Sequence, residues 1–82
     1  MKSYIYQAVI ERDEEGAWCV SVPDLPGCYT DGDTFGEAIE NAADAMKTYV
    51  ASLLSHGEVP PSPTWRDECV AGGARTVAVF FE

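Results

Sequence analysis

The sequence predicts an α+β domain of element order β-β-β-α-β, with a sheet in the order 3-2-1-4 and one long amphipathic helix on one face. Three observations carry that expectation. First, two runs rich in aromatic and β-branched residues, Tyr4 to Glu11 and Ala17 to Val22, flank the polar stretch Asp13-Glu14-Glu15-Gly16, as in an antiparallel hairpin. Second, apolar residues recur with a helical period from Phe35 to His56. Third, a further strand-like run, Arg75 to Phe81, follows the Gly72-Gly73 break.

The connector from Val22 to Ala38 is the most informative stretch. Pro23 and Pro26 each hold φ near about −65° and lack a backbone donor, so the second strand has to stop at Val22. Pro26-Gly27 marks a turn, and Gly27 is expected to need a backbone geometry or a closeness that a side chain disfavours. Cys28 to Asp31 reads as a short third strand, and Asp31-Gly32-Asp33 as another turn. Thr34 and Glu37 fit a capping box, in which the hydroxyl accepts from a helix amide and Glu37 reaches back to the cap's own N–H.

On a helical wheel Phe35, Ala38, Ile39, Ala42, Ala43, Met46, Tyr49, Val50, Leu53 and Leu54 fall on one side. Glu37, Glu40, Asn41, Asp44, Lys47, Thr48 and Ser52 fall on the other, and Gly57 is placed to end the helix. Pro60, Pro61 and Pro63 forbid its continuation. Residues 64–69 are expected to add a helical turn. A right-handed crossover through the helix is expected to bring the last strand alongside the first. The chain reads as a single domain over residues 1–82, with a core of 4–59, a Pro-rich linker of 60–63 and a C-terminal strand of 75–81.

The strands carry apolar residues on both sides. Tyr4, Tyr6, Ala8 and Ile10 alternate with Ile5 and Val9, and Val77, Val79 and Phe81 alternate with Ala78 and Phe80. One helix covers one face. The other, with Ile5, Val9, Ala78 and Phe80, is expected to be covered by residues 60–74, a partner, or a second copy, and we expect self-association as a homodimer or higher oligomer. The final V-A-V-F-F run also invites edge pairing.

Fourteen acids face five bases, a formal net charge of −9. Ten acids lie within residues 11–44 against Arg12 alone, so the chain by itself repels phosphate and is not expected to bind nucleic acid. An acidic surface steers a basic partner instead. No apolar run reaches the length of a membrane span and no leader pattern opens the chain, which is therefore read as cytoplasmic. Cys19, Cys28 and Cys69 are odd in number and lack C-x-x-C spacing, which argues for small apolar fillers over disulfides or zinc ligands. No cofactor or metal is expected. Asp24, Asp31, Asp33 and Glu37 could in principle serve a metal-dependent nuclease, but three of them suit turns and a cap, and no acid interrupts the apolar side of the first strand. His56, the sole histidine, suits a helix C-terminus. The expectation is a non-enzymatic protein.

Tyr6 to Glu11 leading to Asp13 and Gly16, Val20 to Gly27, Gly32-Asp33-Thr34, Glu37-Ala38, Asn41-Ala42, and Gly57 followed by Pro60-Pro61-Ser62 together resemble the HicB-like antitoxin family over roughly residues 4 to 63. The resemblance implies a partial RNase H-like domain. It also implies a partner, a small basic HicA-type toxin that cleaves mRNA and would be neutralised by direct contact. Many members add a C-terminal operator-binding domain, which residues 64–82 are too few to supply. Contacts to the toxin are expected from Asp13, Glu14 and Glu15 in the hairpin turn, from Asp31 and Asp33, and from Trp65. The alternative is a solitary, self-associating domain of this family without a toxin.

Overall fold

The computed structural model describes residues 3–64 and 75–82. Strands β1 (Tyr4–Arg12) and β2 (Trp18–Ser21) form the hairpin, β3 (Tyr29–Gly32) follows, then helix α1 (Phe35–Ser55), then β4 (Arg75–Phe81). The sheet order is β3-β2-β1-β4, as the sequence predicts.

Every neighbouring pair is antiparallel, including β1 and β4, where Tyr4 lies opposite Phe81 and Ile10 opposite Arg75. The crossover expectation is corrected here. A helix feeding straight into the next strand would have laid β4 parallel to β1. Instead α1 finishes beside Tyr4 and Phe81, which share a groove with Val50 and Leu54. β4 starts at Arg75, opposite Ile10, at the other end of the sheet.

Local chemistry explains each junction. In the hairpin, the Gly16 N–H donates to the Asp13 carbonyl at 3.2 Å, and Gly16 has φ +93°. Asp13 Oδ1 accepts from the N–H groups of Glu15 and Ala17, both at 2.9 Å, so this side chain builds its own turn. The connector after β2 is two turns in series. Leu25 N–H donates to the Val22 carbonyl at 3.0 Å, with Pro23 second in the turn. Cys28 N–H then donates to the Leu25 carbonyl at 2.9 Å, with Pro26 second and Gly27 third at φ +85°. Proline followed by a positive-φ glycine is the chemistry of a type II turn. Leu25, at the junction, is fully buried. The Tyr49 hydroxyl of α1 donates to the Pro26 carbonyl at 2.7 Å, tying helix to connector.

The helix starts where the cap predicts. Thr34 Oγ1 accepts from Glu37 N–H at 3.0 Å, while Glu37 Oε1 accepts from the N–H of Asp33, one residue before the cap, at 3.1 Å. Gly57, at φ +74°, donates to the Leu54 carbonyl and Glu58 to the Leu53 carbonyl, the paired bonds of a Schellman ending. Gly32 meets the first helical turn so closely that a Cβ would lie 2.5 Å from the Ala38 nitrogen.

The core lies between α1 and one face of the sheet. Ala38, Ala42, Met46 and Val50 are its buried helical residues, packed on Tyr6, Ala8, Ile10, Val20, Val22, Val79 and Phe81. The apolar side of α1 is narrower than the wheel suggests at its C-terminal end, because Leu54 is 52% exposed, out at the rim. Tyr4 and Tyr6 stack with Phe81 at one end of this layer, and Trp18 meets Phe35 edge-on at the other.

Candidate interaction surfaces

Strand pairing sorts the remaining side chains. Paired residues share a face, so Phe80 and Ile5, Ala78 and Gln7, Thr76 with Val9, Ser21 and Tyr29, and Glu11 with Cys19 and Asp31 all stand on the face opposite α1. That face is divided. Its β1–β4 end exposes Ile5 (45%), Phe80 (59%) and Ala78, and a groove of about 260 Å³ between Ile5, Gln7 and Ala78 is walled by Pro63 and Thr64. Val9, which the sequence groups with these three, is buried, as is Gln7. The exposed patch is therefore Ile5, Ala78 and Phe80.

The hairpin end of the same face is acidic. Glu11, Cys19 and Asp31 form a row across three strands. The Cys19 Sγ lies 3.8 Å from Asp13 Oδ2. Desolvation against the sheet, then the Asp13, Asp31 and Glu11 carboxylates, push the Cys19 thiol above its ordinary pKa. The nearby cations are drawn to the helix side. Arg12 lies over the Trp18 ring and Arg75 over the Phe35 ring, each 5.4 Å from the centroid.

The acids singled out from sequence have different local duties. Glu14 and Glu15 project from the exposed hairpin turn, while Asp13 accepts two amides of that turn. Asp31 is exposed on β3, and its carbonyl accepts from Asn41 Nδ2 at 2.7 Å. Asp33 sits at the helix entrance with its N–H bound to Glu37. Trp65 and the turn expected over 64–69 fall, apart from Thr64, outside the described residues. So does Cys69, whereas Cys28 is buried and Cys19 exposed.

The conceivable nuclease carboxylates do not converge. Asp24 lies in the first connector turn, where its Oδ2 accepts from Thr64 N–H at 2.7 Å, while Asp33 and Glu37 belong to the helix cap. Among the described residues no group of three or more His, Cys, Asp or Glu side chains could hold a metal ion, and no helix is long and apolar enough to cross a membrane. His56 Nδ1 lies 2.7 Å from the Ser52 carbonyl, at the end of α1.

Sequence reading missed the groove between β3 and α1. It is a shallow, open groove of about 490 Å³, lined by Gly27, Cys28, Tyr29 and Thr30 on one side and by helix residues from Asn41 to Ser52 on the other. The signal was present but weak: Asn41, Thr48 and Ser52 occupy the polar side of the wheel, as any solvated helix face would.

The comparisons with known proteins agree with this geometry. The family model described as HicB_like antitoxin of bacterial toxin-antitoxin system matches residues 6–75. The UPF0150 protein Ta0767 of Thermoplasma acidophilum is 45% identical over 56 residues, covering 68% of this chain and 81% of that protein. The N-terminal domain of the Burkholderia pseudomallei antitoxin HicB superposes with a TM-score of 0.80 at 30% identity, covering 93% of this chain and 95% of that domain. Against the whole of that antitoxin the covered share falls to 61%. A chain from the HicA3 and HicB3 toxin-antitoxin complex gives a TM-score of 0.63 at 32% identity, covering 77% of this chain and 72% of its own length.

Proposed function

This chain belongs to the HicB-like antitoxin family of bacterial toxin–antitoxin systems, and on that premise we propose that it neutralises a small basic HicA-type toxin by direct protein–protein contact. The observation that carries this reading is its agreement, along nearly the whole of both chains, with the N-terminal domain of a HicB antitoxin. Its electrostatics are suited to the task. A net charge of −9 attracts a toxin basic enough to bind RNA, and the same charge disfavours contact of this chain with RNA. The chain contributes binding and no chemistry: it would act by covering the toxin's RNA-binding surface. The acids of the hairpin end are the toxin-facing groups of this reading, with Glu14 and Glu15 exposed in the turn and Asp31 exposed on the sheet.

We also propose self-association through Ile5, Ala78 and Phe80. These residues are exposed, apolar and contiguous across β1 and β4, and burying them contributes about 25 cal/mol per Å² before association costs.

The direct test is growth rescue. Expression of a HicA-type toxin is expected to arrest growth, and co-expression of this chain to restore it. Arrest that persists despite soluble expression of this chain contradicts the antitoxin reading.

A further inference from the structure

The order β3-β2-β1-β4 leaves two strand edges open among the described residues, and they are chemically unlike. The β4 edge belongs to R-T-V-A-V-F-F, which carries no acid. The β3 edge belongs to Y-T-D-G, with Asp33 next in the chain and Asp44 facing it from α1 across the groove.

Two hydrogen bonds fix which backbone groups of β3 point outward. The Cys28 carbonyl accepts from Val22 N–H at 3.2 Å, so Cys28 faces β2. The Asp31 carbonyl accepts from the Asn41 side chain, so Asp31 faces away from β2. Within an antiparallel strand the N–H and C=O of one residue point the same way and alternate from residue to residue. Thr30 and Gly32 therefore serve the β2 ladder, while the N–H and C=O of Tyr29 and the N–H of Asp31 point into the groove. Among the described residues no turn, cap or side-chain bond reaches those three groups. Tyr29 is also 73% exposed, a large aromatic surface left beside an open edge.

We infer that the β3 edge is where the toxin docks an extended, cationic segment, which adds as a fifth strand beside Tyr29–Asp31 and lies in the groove against α1. The inference rests on the antitoxin reading above and places its contact. The form of the occupant follows from the backbone groups, since only an extended chain satisfies a row of strand donors and acceptors. Its length follows from the groove: Asn41 to Ser52 spans roughly 16 Å of helix, about five extended residues. Its charge follows from the lining, which contains Asp44 and no lysine or arginine, with Asp31 on the strand and Asp33 just after it. A second copy is disfavoured at this edge, because pairing β3 with itself would bring two sets of these aspartates together. β4 carries no acid along its length, Glu82 following only at its end, so this barrier is lower there.

The test uses this chain, isotope-labelled, alone and in complex with a purified HicA-type toxin. Amide hydrogen exchange at Tyr29 and Asp31 is expected to slow at least tenfold in the complex, while Thr30 and Gly32 change little because the sheet already protects them. In parallel, Asp31→Pro removes an outward donor without touching the β2 ladder, and Asp31→Ala removes only the carboxylate. The proline variant is expected to bind the toxin at least tenfold more weakly than the alanine variant, with thermal unfolding confirming that both fold. Both affinities are expected to fall with added salt. Unchanged exchange at Tyr29 and Asp31 in a formed complex overturns the edge inference and leaves the antitoxin reading standing. Protection of those amides in the free protein that rises with its concentration also overturns it, in favour of a second copy. Failure of the two proteins to form a complex overturns both readings.

Discussion

Replacing Gly32 with alanine is the sharpest stability test of how β3 meets the helix. Gly32 has an ordinary negative φ, so nothing about its backbone excludes a side chain. The obstacle is space. An added Cβ would lie 2.5 Å from the Ala38 nitrogen, 2.8 Å from its Cα and 2.9 Å from the Glu37 carbonyl carbon, all main-chain atoms of the first helical turn. Ordinary contact begins near 3.4 Å, so strand and helix have to separate by about 1 Å. Ala38 is fully buried, and the turn is held by the Thr34 and Glu37 cap, so it has little freedom to retreat. Overpacking of this kind costs up to about 3 kcal/mol. Restricting the unfolded chain returns up to about 1 kcal/mol, leaving a net destabilisation of about 2 kcal/mol. For a chain of this length, with total stability of roughly 4–12 kcal/mol, that lowers Tm by about 8–16 °C. Thermal unfolding followed by far-ultraviolet circular dichroism reads this directly. A Tm within 3 °C (about 0.5 kcal/mol) of the parent would refute the claim that contact between β3 and the helix excludes a side chain here.

Three further outcomes are expected. Gly27→Val costs on the order of 1–3 kcal/mol for a different reason: its φ of +85° is strained for valine although no atom lies within 4 Å of the added Cβ, so urea unfolding should show a lower midpoint with an unchanged slope. Phe80→Glu places a charge in the exposed Ile5–Ala78 patch, and sedimentation at tens of micromolar should shift toward monomer; a parent protein already monomeric there contradicts self-association. Cys19 is exposed to iodoacetamide, but its raised pKa means the thiolate forms at higher pH than that of an ordinary thiol. Its alkylation should therefore rise late with pH and earlier in Asp13→Asn, which removes a carboxylate that opposes ionisation; identical profiles for the two proteins count against that coupling.

What could be read from the chain was what is encoded locally. Pro23, Pro26 and Gly27 announce turns because each restricts its own backbone, and both turns are present. The Thr34–Glu37 box and Gly57 mark the helix ends because their partners lie within a few residues, and the helix runs between them. The order 3-2-1-4 follows from hairpin adjacency and from the need to place β4 on an open edge of β1.

The parts that were not legible depend on residues distant in sequence. The antiparallel sense of β4 depends on the end of the sheet at which Arg75 starts, which strand patterning does not encode. Gly32 looked like a turn residue, whereas its importance is the approach of Ala38. Leu54 belonged to the apolar wheel, yet it lies half exposed at the rim, beside the strand ends Tyr4 and Phe81. Val9 alternated with the exposed residues and is buried. The β3 edge was invisible for the same reason, since a row of unpaired backbone groups leaves no mark on side-chain chemistry.

The measurement that bears most directly on the central claim is a titration of RNA cleavage. A HicA-type toxin, purified and incubated with mRNA, is expected to lose its cleavage activity as this chain is added, reaching full inhibition at a fixed stoichiometric ratio. At that ratio raised salt should restore part of the cleavage, because opposite charges hold the complex together. Cleavage that continues undiminished with this chain in tenfold excess would contradict the account.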